Sequence, residues 1–121
     1  MIFNWHEYFE LAEFLYQNVG KFNQITNESI YRTVVSRAYY AAYRYSRNYA
    51  YLNLGFIPTK TGDDHRDIQF LFEKSGFGDI SDILNDLRRW RNQCDYDDIV
   101  YNASNMALRA IEKAKKIFDR L

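Results

Sequence analysis

From Asn27 to Asn53 the chain runs without a glycine or a proline, while its apolar residues recur at intervals of three and four. That pattern predicts one long amphipathic helix. A rod of this length dominates a chain of 121 residues, so whatever else forms must lie along it. The flanking segments read as helices too. Asn4, with Glu7 three residues on, has the pattern of a capping box, and Phe9, Ala12, Leu15, Tyr16 and Val19 carry a first helix to a stop at Gly20. After a polar linker from Pro58 to Asp63, a third helix should start at Asp63 or Asp64 and reach about Lys74, closed by Ser75-Gly76. A fourth is expected from Asp79 or Ser81 to about Cys94. Asp95-Tyr96-Asp97-Asp98 then breaks the pattern and is expected to cap a fifth, whose stripe is Ile99, Ala103, Met106, Ala110, Ala114, Ile117 and Leu121. One proline and five glycines are too few for a β-sandwich or barrel. The expected fold is all-α, an antiparallel bundle of about five helices, forming one domain over residues 1–121.

Lys and Arg total 16, as do Asp and Glu, for a formal net charge of zero. That excludes a generally basic nucleic-acid coat, whose affinity rests on phosphate neutralisation, but leaves room for a local basic patch. No apolar run approaches the roughly 18 residues a membrane span needs. Residues 1–7 lack the basic and apolar regions of a signal peptide, and the single Cys94 cannot pair internally, so a cytoplasmic protein is expected. Cys94, His6 and His65 lie too far apart for zinc-ligand spacing, and no metal or cofactor is expected. Gly76-Phe77-Gly78 is followed by no Lys-Ser/Thr and is no phosphate loop. Ser36, Ser46 and Ser81 have no nearby histidine in the sequence. The carboxylate pairs Asp63-Asp64 and Asp97-Asp98 stand where N-caps are expected.

At about 100° per residue the long helix sorts into faces. Ala38, Ala42, Tyr45 and Tyr49 fall together, with small residues that admit a close neighbour. Tyr39, Tyr43, Ser46 and Ala50 adjoin them. Opposite lie Arg37, Tyr40, Arg44, Arg47 and Tyr51, guanidinium groups mixed with aromatic rings. Such a surface can grip single-stranded RNA, arginine on phosphate and tyrosine under a base. It can equally be a solvated face whose arginines pair with the many carboxylates.

The densest polar cluster is Arg88-Arg89-Trp90-Arg91-Asn92-Gln93-Cys94-Asp95-Tyr96-Asp97-Asp98. Arg88, Arg91 and Asp95 share a face by spacings of three and four. Arginine's planar fork suits phosphate, and a carboxylate beside it stays ionised. Asn92 adds a donor and an acceptor. A helix terminus laced by salt bridges would have the same composition. Trp90, large and amphipathic, is the candidate interface residue.

Three segments together resemble the HEPN superfamily, small helical bundles with ribonuclease members. Ser36-Arg37-Ala38-Tyr39-Tyr40-Ala41-Ala42-Tyr43 is similar to the family's early S-R-x-Y-Y-A-x-F helix. Asp64-His65-Arg66-Asp67-Ile68, running to Phe72, resembles the histidine-led helix of small stand-alone members. Arg91-Asn92-Gln93-Cys94-Asp95-Tyr96-Asp97 resembles their R-x-x-A-D-Y-D ending. Order and spacing agree over about residues 30–115. The resemblance implies a homodimer in which two copies of Arg91, Asn92, Asp95 and Tyr96 face each other. It also implies RNA or a nucleotide as ligand, and a nucleotidyltransferase as partner in a toxin–antitoxin or defence module. In catalytic members arginine holds the scissile phosphate and a histidine moves protons.

Here Tyr96 stands in place of that histidine, and none follows it. A phenol, with a reference pKa of about 10, is a poor general base at neutral pH. His65 is the only other candidate, and only the fold could bring it near Arg91. A lone histidine at a helix start is also an ordinary structural hydrogen-bonding residue. The leading expectation is therefore a non-catalytic or weakly active member that binds RNA or nucleotide through Arg37, Arg44, Arg47, Arg88 and His65, or that docks a partner. Tyr96 could also serve such a partner as a nucleotidyl acceptor. A metal-independent ribonuclease toxin and a plain dimerisation scaffold are the alternatives.

Overall fold

The computed structural model describes residues 2–121 and folds them into five helices, α1 (His6–Gln17), α2 (Asn27–Asn53), α3 (Asp63–Lys74), α4 (Gly78–Tyr96) and α5 (Ala103–Arg120). No strand occurs among the described residues, and no helix is long and apolar enough to cross a membrane.

α2 is the axis, about 40 Å long at 1.5 Å per residue. Thr26 opens it, its hydroxyl accepting the Ser29 N–H at 3.1 Å. α1, α4 and α5 pack along it, with α5 and α1 in the most extensive contact. Ala38, Ala41, Ala42 and Ala50 of α2 are fully buried, as are Ala107, Ala110 and Ala114 of α5. Such small side chains let helices approach closely without glycine's entropic cost. α3 packs chiefly on α4 through Ile68 and Phe72, both fully buried. The two helices are joined by a Schellman turn. Gly76 takes φ +87°, and the Phe77 N–H reaches the Phe72 carbonyl at 2.8 Å. The Phe72 and Phe77 rings meet edge to face across that turn.

Several ends differ from the sequence expectation. α1 begins at His6 rather than Asn4, because Trp5 is already helical and Asn4 Oδ1 accepts the His6 N–H at 3.1 Å. The Glu7 carboxylate closes no capping box; the Glu7 N–H bonds the Asn4 carbonyl instead. α1 stops at Gln17, where the Asn18 side chain returns to the Phe14 carbonyl, before Gly20 is reached. α4 starts at Gly78, ahead of Asp79, and continues past Cys94 to Tyr96. Asp97 and Asp98 do not cap α5. That helix follows Asn102, which takes a left-handed conformation (φ 54°), and Ile99 is exposed while Val100 enters the core.

Ala42→Leu should force extra volume into the fully enclosed α2 core. A loss of about 1–3 kcal/mol is expected, measured by urea denaturation followed by circular dichroism.

Candidate functional site

The candidate site lies where α2, α3 and α4 meet. Tyr39 and Tyr43, four residues apart, point the same way from α2, and Tyr39 is fully buried. His65, in the first turn of α3, stacks on Tyr43 with ring centroids 4.0 Å apart. The Tyr39 hydroxyl shares a hydrogen bond with His65 Nδ1 at 2.6 Å. Asp64 fixes this end of α3. Its buried carboxylate accepts the N–H groups of Thr59 (2.9 Å) and Lys60 (3.1 Å) and the Thr59 hydroxyl. The hydroxyl bond does most to hold the Asp64 carboxyl below the usual carboxylate range, helped by the two amides and by Arg47, against its burial. Asp64 thus ties down the preceding linker rather than acting as the N-cap of α3; Asp63 pairs with Arg66 at 3.3 Å.

The last turns of α4 bring Arg91, Asp95 and Tyr96 together. Arg91 is enclosed, its side chain only 11% exposed. Its guanidinium carbon lies 5.0 Å from the Tyr39 ring centroid, 5.4 Å from Tyr40 and 6.0 Å from Tyr96. Asp95 stands 3.8 Å away, too far for a strong charge-assisted bond, and Arg91 Nε is buried without an acceptor. Asp95 also accepts from the Ser36 hydroxyl at 3.3 Å. Asn92 is exposed and hydrogen-bonds none of these groups.

Arg32, which the sequence reading passed over, anchors this terminus. Its guanidinium donates to the carbonyls of Cys94 and Asp97, which the helix end leaves unsatisfied, and to that of Asp98 just beyond it. The only sequence signal was Glu28 four residues earlier, which reads as an ordinary surface pair. Cys94 is buried against Met106 and its thiol is pushed up to about 11, chiefly by burial, so it stays protonated. Trp90 turns the other way, toward α5, where the Lys113 ammonium lies 5.8 Å from its ring centroid.

The remaining arginines form a positive face. Arg44, Arg47 and Arg88 all act on the Tyr43 phenol, whose pKa is raised first by burial and then by Asp64, and lowered by these three cations. Among the described residues, no carboxylate lies within ion-pair distance of Arg37, Arg44, Arg47 or Arg88. Arg44 rests on the Trp5 ring, 4.6 Å from its centroid, and its Nε is buried without an acceptor. Burial, then the neighbouring Arg47, lowers its pKa. His65 feels the same field. Burial first, then Arg88 and Arg91, push its pKa down to about 4, and the ring is neutral at physiological pH. The fold therefore does bring His65 to the arginines of α4.

With an ordinary pKa of 6.5 in the unfolded chain and about 4 in the folded one, His65 binds its proton more readily when unfolded. Its contribution to stability is complete above pH 6.5 and is lost as pH falls toward 4. The urea midpoint should fall between pH 7.5 and pH 5 more steeply in the natural protein than in His65→Gln. Equal pH slopes in the two proteins would contradict this.

Comparison with protein families finds the HEPN domain over residues 7–121. No curated protein and no solved structure matches the chain. An all-helical bundle of five helices, and a family match spanning nearly its full length, make this chain a member of the HEPN domain family.

Proposed function

We propose that this HEPN protein binds single-stranded RNA, or its component nucleotides, on the arginine-lined face of α2 and α4, and holds it without efficient cleavage. One observation carries the reading: Arg37, Arg44, Arg47 and Arg88 are partly buried, and among the described residues none has a carboxylate within ion-pair distance. The chain has as many acidic as basic residues, yet among the described residues none of its carboxylates stands within ion-pair distance of these arginines. Asp86 takes Arg89 and Lys113, Asp79 takes Arg120, and the oxygens of Asp64 are engaged by Thr59 and Lys60. Partly buried guanidinium groups without counter-ions are unfavourable, and a phosphate meets them with matching fork geometry.

Weak or absent cleavage follows from proton chemistry. Attack by a 2′-hydroxyl needs a group able to take its proton near neutral pH. Tyr96 is a phenol, and His65, at about 4, is a weak base whose Nδ1 is engaged by Tyr39. A second reading, a ribonuclease with two copies facing each other, draws support from the gathering of Arg91, Asp95 and Tyr96 and from the position of His65 in the field of Arg91.

Fluorescence anisotropy with a short labelled RNA strand in chelator should show binding that weakens linearly in log salt. Arg47→Ala and Arg88→Ala should each weaken it and reduce the slope by about 0.7. Binding insensitive to salt and to both substitutions would overturn the proposal. Cleavage that leaves a cyclic phosphate and disappears in Arg91→Ala would replace it with the second reading.

A further inference from the structure

We infer that the hollow between the start of α1 and the middle of α2 is a slot for one unpaired nucleobase. It is lined by Trp5, Tyr8, Arg37, Tyr40, Tyr43 and Arg44 and holds about 370 Å³, within the range of small-molecule sites. The inference rests on the RNA-binding reading above and deepens it, because it assigns the base a place separate from the phosphates.

The walls are of two kinds, both flat. Trp5, Tyr8 and Tyr40 supply rings, and Phe3 packs edge to face on Trp5 and Tyr8 at centroid distances of 4.8 and 5.2 Å, buttressing them. Arg37 and Arg44 supply guanidinium planes. Arg37 lies 4.8 Å from the Tyr8 centroid and 5.3 Å from that of Tyr40; Arg44 lies 4.6 Å from that of Trp5. Rings and guanidinium planes are the two surfaces on which unpaired bases stack.

The donors of these arginines are largely unspent. Arg37 makes a single long hydrogen bond, 3.4 Å to the Ser36 hydroxyl, and Arg44 Nε is buried with no acceptor. The hollow therefore offers stacking surfaces and unspent donors, with no carboxylate among its lining residues. A planar ring bearing carbonyl and ring-nitrogen acceptors, attached to a phosphate, satisfies all three features. An acidic peptide would use the charge and leave the rings idle. A lipid headgroup would use the charge and need apolar surface for its chains, where this hollow presents polar-tipped rings.

The slot also joins the positive face. Tyr43 forms part of its wall and carries the His65 stack on which Arg47 and Arg88 act. Arg37 to Arg47 covers about 15 Å along α2, so a strand lying on this face can keep its phosphates on the arginines while one base turns into the hollow.

The test uses RNA carrying 4-thiouridine and, as a probe with phosphate but no base, inorganic polyphosphate. Ultraviolet crosslinking followed by peptide mapping should place the base on the segments that hold Trp5 and Tyr8 or Tyr40 and Tyr43. Tyr8→Ala should weaken RNA binding about tenfold and leave polyphosphate binding unchanged, whereas Tyr8→Phe should bind both as the natural protein does. Retained polyphosphate binding also shows that the variant is folded. Crosslinks confined to other segments, or equal RNA affinity in Tyr8→Ala, would overturn the slot while leaving phosphate binding in place. Failure of both RNA and polyphosphate to bind would remove the underlying reading as well. Anionic phospholipid vesicles that bind where RNA does not would assign the hollow to a membrane surface and overturn the proposal.

Discussion

The interaction on which the rest depends is the burial of α2 along most of its circumference. Its alanines are fully enclosed, and helices on several sides cover it. A helix covered in this way has little surface left for charged groups, and Arg37, Arg44 and Arg47 share one strip of it. Arg37, Arg44 and Arg47 are only partly exposed because α1 and the 54–62 linker crowd the same strip: Tyr8 and Trp5 lie against the first two and Phe56 against the third. The close packing that stabilises the bundle thus also concentrates positive charge beside aromatic rings.

That concentration has an electrostatic consequence within the chain. His65 is held neutral by burial and by Arg88 and Arg91, and in its neutral form it can stack on Tyr43 and share a hydrogen bond with Tyr39. A protonated ring would add another cation to a face that already holds several. The docking of α3 on α2 and the positive potential of the face are therefore parts of one balance. An anion that offsets Arg88 or Arg91 weakens the effect of those charges on His65 while the ring stays as buried as before.

Much of the fold was legible in the sequence. α2 and α3 span the residues that periodicity and breakers predict, since the glycine-free run of α2 and the Ser75-Gly76 stop of α3 act through local chemistry. The errors gather where side chains at a helix end find distant or unexpected partners. The aspartates after Tyr96 look like caps for α5, yet the backbone carbonyls there are taken by Arg32, more than sixty residues earlier in the chain. Asp64 likewise spends its carboxylate on the preceding linker. Within the site, the pairing of Arg91 with Asp95 was legible because the two stand one turn apart on the same helix. The Tyr39–His65 bond and the placing of Arg44 over Trp5 were not, because each joins separate elements and no helical period encodes it.

Arg91 shows why residue type and spacing do not decide a role alone. Its type and spacing suit a phosphate ligand, while in the structure its side chain is only 11% exposed, with ring faces over it and a loosely placed carboxylate beside it. The rings over it are not equivalent. Tyr39 is fully buried in α2, and Tyr40 packs against the core, whereas Tyr96 is 75% exposed. The exposed side of the guanidinium is thus the one that carries Tyr96 and Asp95. Tyr96 is therefore the outermost of the three rings over the Arg91 guanidinium. A change at Tyr96 therefore alters the solvent side of the Arg91 guanidinium while leaving the buried Tyr39 ring that backs it in place.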